Sequence, residues 1–385
     1  MATKTIFGLA GDVLVDRDDP PEVFELVQPM LDATDLLFAN LEGPYTDNPV
    51  PAVSAPVQVT PGIRNLDVYA KCGFDVVSMA NNHIVDAGHE AMLDTERRLE
   101  EQGVATCGTG ADIKAAREPA FVEVNGLKVA FLSYACLFPN GYEARSNMPG
   151  VAPMRARNLY HESVPNYHMP GVPGKLTTVP YDEDVRDLEA DIAGAREQAD
   201  LVVCTFHWGD FMKPFHLTDH EKRTARFCID NGADMVVGHH HHVLRGMEWY
   251  NGKPIMYGLG HFVFDLRTEF PKELMDAVGG MGEDPDFYGV APREGWPLLP
   301  LHAESRMTAL AWATVDDGKI DDIGFVPCRL QPDGRVRPVD VESEEGQEVI
   351  DYVAKGCETQ HLNGRIEAGG IELAGHPSAR LVPSE

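Results

Sequence analysis

Five times in the first two-thirds of the chain, a short apolar run stops on a cluster of Asp, Asn, Glu or His. Asp12 follows Thr5–Ala10, and Asn40-Leu41-Glu42 follows Leu36–Ala39. Asn81-Asn82-His83 follows Val76–Ala80, and His207-Trp208-Gly209-Asp210 follows Leu201–Phe206. Gly238-His239-His240-His241-His242 follows Met235–Val237. Such short apolar runs read as buried strands. Helical patterns lie between them. Pro21 opens one through Leu31, Ile63, Leu66 and Ala70 mark a second, and a third runs from about His89 to Gln102 and stops at Gly103. Val185, Leu188, Ile192 and Ala195 keep helical spacing, as do Ala225, Cys228 and Ile229. Asn125-Gly126, Asn251-Gly252 and Asp317-Gly318 read as hairpin turns between strand-like runs. The expected fold is a layered α/β domain, in which ligands bind beyond the strand ends.

Composition narrows the partners. The 32 Lys+Arg against 61 Asp+Glu give a formal charge of −29, a field that repels phosphate backbones and anionic lipid surfaces. Nucleic acid and membrane are therefore not expected as partners. The seven cysteines are scattered without a C-x-x-C, which argues against a disulfide framework or a cysteine zinc site. No apolar run approaches the roughly 18 residues of a membrane span. The stretch from Met1 to Val15 has no long hydrophobic region and no cleavage signal, so a cytoplasmic protein is expected.

Two segments break the periodic pattern: Phe138 to Pro180, and Leu266 to Ser305. Long irregular segments inside a compact domain read as lids or binding loops. Their aromatics (Tyr142, Tyr160, Tyr167, Phe287, Tyr288 and Trp296) favour an organic or peptidic substrate. The organisation expected is one catalytic domain over residues 1–330, with lid insertions at about 138–180 and 266–305. Residues 331–385 would form a C-terminal helical extension, its helix near Gln347–Lys355, and a polar tail.

The strand-end residues suit a divalent metal, which takes carboxylate oxygen and imidazole nitrogen from rigid positions. Two ions about 3.5–4 Å apart can activate a water and hold the attacked group together. His240-His241-His242 would place two imidazoles on one side of an extended segment, because side chains there alternate. Singly, each piece has an ordinary explanation: Asp12 as a cap, Asn81-Asn82 as a turn, His207 as a buried imidazole. Four histidines in a row also resemble an affinity tag, but this run follows a buried strand instead of lying at a terminus. Five strand ends carrying such residues together point to a metal site of one or two ions, with Mn, Zn, Fe and Co equally suited.

The motifs Gly11-Asp12, Asn40-Leu41-Glu42-Gly43, Ala80-Asn81-Asn82-His83-x-x-Asp86-x-Gly88, His207-Trp208-Gly209, Gly238-His239-His240-x-His242-Val243 and Tyr257-Gly258-Leu259-Gly260-His261-Phe262 resemble the CapA family. That family is named for bacterial poly-γ-glutamate capsule synthesis and has a calcineurin-like metallophosphoesterase fold, a layered β-sandwich flanked by helices. The resemblance implies metal ligation by Asp12, Glu42, Asn82, His207, His240 and His242, with Glu42 bridging. It implies an acid role for His83, and a supporting or substrate-binding role for His239 and Arg245. This chain has His241 where the family usually has proline, His261 where it usually has asparagine, and Asp210-Phe211 where a glutamate usually follows His-Trp-Gly. Asn40, Asp86, Asp210, His241 and His261 are further candidates beside the site.

The expected function is a metal-dependent hydrolase acting on a phosphoester, ester, amide or lactone of a small-molecule or peptide substrate. Two alternatives stand beside it. One is a metal-site epimerase acting next to a carbonyl, with His241 and His261 among its bases. The other is a non-catalytic component of polymer assembly.

Overall fold

The computed structural model describes residues 4–55, 57–164, 166–266, 295–298 and 303–384. Two β-sheets face each other. The first runs in the order Arg365–Leu373, His376–Val382, Lys319–Leu330, Met307–Asp316, Thr5–Leu14, Leu36–Leu41, Val76–Ser78 and Ala105–Cys107. His261–Phe264 pairs beside Thr5–Leu14, and Val336–Pro338 beside Lys319–Leu330. The second sheet runs Met247–Tyr250, Lys253–Met256, Met235–His239, Leu201–His207, Leu127–Ala135 and Ala120–Val124.

Strand alternation divides the side chains between two cores. Phe7, Leu9, Leu36 and Phe38 enter the core shared with the second sheet, while Ala10, Leu37 and Ala39 enter the core on the opposite face. Across the seam Phe38 stacks on Phe131 with ring centroids 5.5 Å apart, and the Ser78 and Ser133 hydroxyls bond at 2.6 Å. Phe38 is fully buried, so truncation to alanine would cost about 3–5 kcal/mol. Helix His89–Glu101 buries Met92, Thr95 and Leu99 on the outer side of the first sheet, a spacing of three to four residues. Helices Asp182–Arg196 and Asp219–Asp230 pack on the second sheet through Leu188, Ile192, Ala225 and Cys228. The result is the expected α/β architecture, a two-sheet sandwich flanked by helices.

The three expected hairpin turns are present, with positive φ at both central residues of each: Asn125-Gly126, Asn251-Gly252 and Asp317-Gly318. The helix through Pro21–Leu31 is not continuous. It is a 3-10 turn at Pro20–Phe24 and a short helix at Gln28–Leu31, because Pro29 has no N–H to bond back to the Glu25 carbonyl and is accommodated only in the first turn of a new helix. The Ile63–Ala70 pattern is likewise split, into Ile63–Asn65 and Val68–Lys71.

Two larger expectations change. Within Phe138–Pro180, Ala156–His161 and Lys175–Pro180 form an antiparallel two-stranded arm, so this insertion is not an irregular loop throughout. The C-terminal polar tail is also corrected: after helix Glu344–Thr359, residues Arg365–Leu373 and His376–Val382 pair with each other and extend the first sheet. Most of the Leu266–Ser305 segment, with Phe287 and Tyr288, lies outside the described residues. None of the seven cysteines forms a disulfide. Among the described residues no helix is long and apolar enough to cross a membrane.

Candidate metal centre

The site forms where strand ends from both sheets meet. A register shift between Leu9 and Asp12 brings Asp12 opposite Asn40 on one neighbour, and the other neighbour presents His261. The bend requires Gly11: a Cβ there would lie 2.0 Å from the carbonyl oxygen of Gly260, whose partner is the Asp12 N–H at 2.8 Å. From the second sheet come His207 and His239, paired in register at the ends of adjacent parallel strands. His240, His241 and His242 follow in a turn. That turn is not extended: His240 and His242 have φ of 94° and 59°, and this left-handed backbone, not strand alternation, brings their rings to 5.7 Å.

Two groups of possible donors result. Ligand atoms of Asp12, Glu42 and His207 lie within 4.8 Å of one another, as do those of Asp12, His242 and His261. Asp12 belongs to both groups, and Glu42, the expected bridge, to one. Asn82 joins the first group through its Oδ1, 2.7 Å from Nε2 of His207, and His240 Nδ1 lies 3.2 Å from the same nitrogen. His239 Nδ1 stands 3.8 Å from Asp12 Oδ1 under the ring of Phe38.

Asn40 donates both amide hydrogens, to Asp12 Oδ1 and Glu42 Oε2, each at 2.9 Å. It orients carboxylates and does not compete for a cation. Asn81 forms the expected turn: its Oδ1 accepts from the His83 N–H while its amide donates to the Leu41 carbonyl. His83 Nδ1 meets Asp86 Oδ2 at 2.7 Å. Asp86, fully buried, also accepts from the Val59 N–H and from the Tyr142 hydroxyl. Tyr142 is therefore a buried support, not a substrate-facing aromatic of a lid. Tyr160 and Tyr167 are exposed on the arm, and Trp296 stacks under the Arg306 guanidinium.

Three candidates point elsewhere. Asp210 bonds the Met212 N–H and His216. Arg245 donates to the Asp210 carbonyl, with its Nε and Nη1 buried and unpartnered. His241 meets Glu221 Oε1 at 2.8 Å, and Glu221 is also the N3 residue of a capping box with Thr218 on helix Asp219–Asp230. Glu221 was not among the residues singled out from sequence, although Thr218-x-x-Glu221 carries the capping-box signature.

Burial controls the charges. It raises Asp12 to about 7 against the Asn40 hydrogen bond, and raises Glu42 well above the ordinary carboxylate range, with the charge of Asp12 adding to the effect. Burial also pushes His239 and His240 down to about 3, and His207 and His242 well below the usual imidazole value. Glu221 is the exception: burial pushes it up, but His241 and Thr218 outweigh that and hold it at about 2. Asp12 Oδ2, Glu42 Oε1 and His207 Nδ1 are buried without a hydrogen-bond partner. Buried carboxylates of this kind are ordinarily paired or bound to metal. A transition-metal dication takes unprotonated imidazoles and displaces the proton of a buried carboxyl, so the residues fit such a group.

Fold and site together define a two-sheet α/β protein with a candidate metal centre at the seam between its sheets. The model of the family described as bacterial capsule synthesis protein PGA_cap matches residues 7–266, a span from before Asp12 to beyond His261, and the chain belongs to that family. It is 30% identical to the PGA biosynthesis protein CapA of Bacillus subtilis (strain 168) over 262 residues, 68% of this chain and 61% of that protein. It is 28% identical to the capsule biosynthesis protein CapA of Bacillus anthracis over 275 residues, 68% of this chain and 60% of that one. The chain thus spans about three-fifths of the length of these relatives. Among solved structures, a hypothetical protein from Thermus thermophilus superposes with a TM-score of 0.44 at 15% identity, covering 84% of this chain and 98% of that one. The calcineurin-like phosphoesterase YfkN from Bacillus subtilis gives 0.39 at 10% identity, covering 92% and 97%.

Proposed function

We propose that the chain is a divalent-metal-dependent hydrolase holding its metal with Asp12, Glu42, Asn82, His207, His240 and His242. Its substrate would be a phosphoester, ester, amide or lactone of an organic or peptidic molecule. The Bacillus relatives are named for PGA and capsule biosynthesis, and bonds of a polymer of that kind fall within this class. The observation that carries the reading is the convergence of unpartnered buried carboxylate oxygens and unprotonated imidazoles from two sheets.

When bound, the ion supplies Lewis acidity and makes water a nucleophile near neutral pH. The protein supplies orientation and proton transfer. Asn40 fixes which oxygens of Asp12 and Glu42 stay open. The Asp86 carboxylate holds the proton of His83 at Nδ1, leaving Nε2 to pass a proton to a leaving group. Asn82 and His83 are only half-buried, so they form the solvent-facing rim of the site. The epimerase reading gains less support, since His241 is engaged by Glu221 and its Nδ1 is buried.

Chelator-stripped protein reloaded with Mn, Zn, Fe or Co should take up one or two ions per chain. With at least one metal it should hydrolyse a member of a panel of nitrophenyl phosphodiesters, esters, lactones and γ-glutamyl peptides. Glu42→Ala and His240→Ala should lose most of the metal, and Asp16→Ala, outside both donor groups, should keep it. Uptake near zero for all four metals refutes the proposal.

A further inference from the structure

We infer that His261 is a metal ligand that gives this chain a second cation position, formed by Asp12, His242 and His261, with Asp12 shared between the two positions. The inference rests on the metal-centre reading above and adds to it the number of ions and the residue between them.

The backbone places the donors. Asp12 and His261 are register partners on parallel strands, and the Asp12 N–H bonds the Gly260 carbonyl at 2.8 Å, so the two side chains leave the sheet edge side by side. His242 arrives from the opposite sheet, and its Nδ1 is in hydrogen-bond contact with Nε2 of His261. Donor atoms around one ion at about 2.0–2.2 Å stand roughly 3–4 Å apart. The donor atoms of this group all lie within 4.8 Å of one another, and the touching His242 and His261 nitrogens need only part slightly to reach that spacing.

The walls are built for fixed imidazoles. His261 lies flat on Phe264, centroids 3.9 Å apart at 12°, and His242 meets Phe264 and Phe211 edge-on at 5.2 and 5.7 Å. All three donor residues are buried. Apolar packing of this kind holds ring planes in place and limits solvent access to a metal. Glu42 and His207 belong to the other group, which neither His242 nor His261 joins. The two positions therefore have separate donors apart from Asp12. Asparagine at position 261, the residue of the family pattern, is shorter than histidine and offers no imidazole.

The alternative role for His261 is to hydrogen-bond His242 and hold it in place. Removing such an outer partner costs about 10–100-fold in metal affinity, whereas removing a ligand costs more and empties the position. The test is zinc titration and elemental analysis of the stripped, full-length chain, with cobalt(II) spectra of the reloaded protein. The wild type should bind two ions. His261→Asn and His261→Leu should bind one, with affinity for the other lowered more than about 100-fold and the cobalt d–d bands of that position lost. Circular dichroism and the melting midpoint of the stripped protein report whether each variant is folded. Glu42→Gln, which leaves His261 untouched, should weaken the other ion and keep this one. A wild type with a single ion that the His261 variants retain overturns the inference while leaving the metal centre intact. Two ions retained in both variants overturns it, as does loss of both ions in Glu42→Gln. A wild type that binds no metal refutes the underlying centre instead.

Discussion

Gly209 of the His-Trp-Gly motif sits at φ +90°, against the pair formed by His241 and Glu221. A methyl group at this position would lie 2.2 Å from His241 Nε2 and 2.7 Å from Glu221 Oε1. Ordinary contact is near 3.5 Å, so the imidazole must retreat by more than about 1 Å, which breaks its 2.8 Å bond to the carboxylate. The left-handed backbone costs an alanine about 1–2 kcal/mol. Losing a buried hydrogen bond to a charged group costs about 1.5–3 kcal/mol more. Gly209→Ala should therefore destabilise the protein by roughly 2.5–5 kcal/mol, a large part of a typical total of about 5–15. Urea denaturation of the chelator-stripped protein measures this directly. In a His241→Ala background the ring and its bond are gone, so the same substitution should cost less, the backbone part of about 1–2 kcal/mol plus the shift of the unpaired Glu221 side chain from its 2.7 Å contact. A single-variant cost below about 1 kcal/mol would refute the reasoning. So would a double-mutant cycle additive within about 0.5 kcal/mol, because the cost would then not pass through His241.

His83→Ala should keep the fold and the metal but lose about 10²–10⁴ in turnover, and less on substrates whose leaving group needs no proton. Loss of metal together with activity, read by elemental analysis, would make His83 structural. Burial raises Glu96 to about 7, with Glu100 adding and the Thr109 bond opposing. The folded state thus holds a proton that the unfolded chain releases near pH 4.5, and the stabilisation it brings is complete below that pH and lost as pH rises to 7. Glu96→Gln should match the wild type at pH 4 and be more stable at pH 8, by at most about 3 kcal/mol. Equal stabilities at pH 8 in urea titrations would contradict the shift.

The strand-end clusters were legible because each follows an apolar run within one stretch of sequence. Their convergence was not, since it depends on the seam between two sheets and on the shift at Asp12. The pairing of His240 with His242 was foreseen for the wrong reason: alternation holds along a strand, but this turn achieves it with left-handed residues. Tyr142 read as a lid aromatic because nothing local marks a hydroxyl that bonds a carboxylate 56 positions away. The C-terminal strands escaped notice because Arg365–Leu373, at the sheet edge, buries only Leu373 fully and has no apolar run to signal it. Pro29 could have warned that the Pro21–Leu31 pattern is interrupted.

The left-handed backbone at His240 and His242 sets stability against chemistry. Each residue holds a conformation that glycine would adopt without penalty, and each forgoes about 1–2 kcal/mol by being histidine. On the backbone term alone a stability screen favours glycine at these two positions, against the ring packing each buried histidine would lose, and each exchange would remove an imidazole from the site. Consensus or computational stabilisation of this protein would need to hold both positions fixed. If the proposed metal centre holds, glycine at either position in a natural variant would mark a lineage that has relaxed the selection for it while keeping the fold.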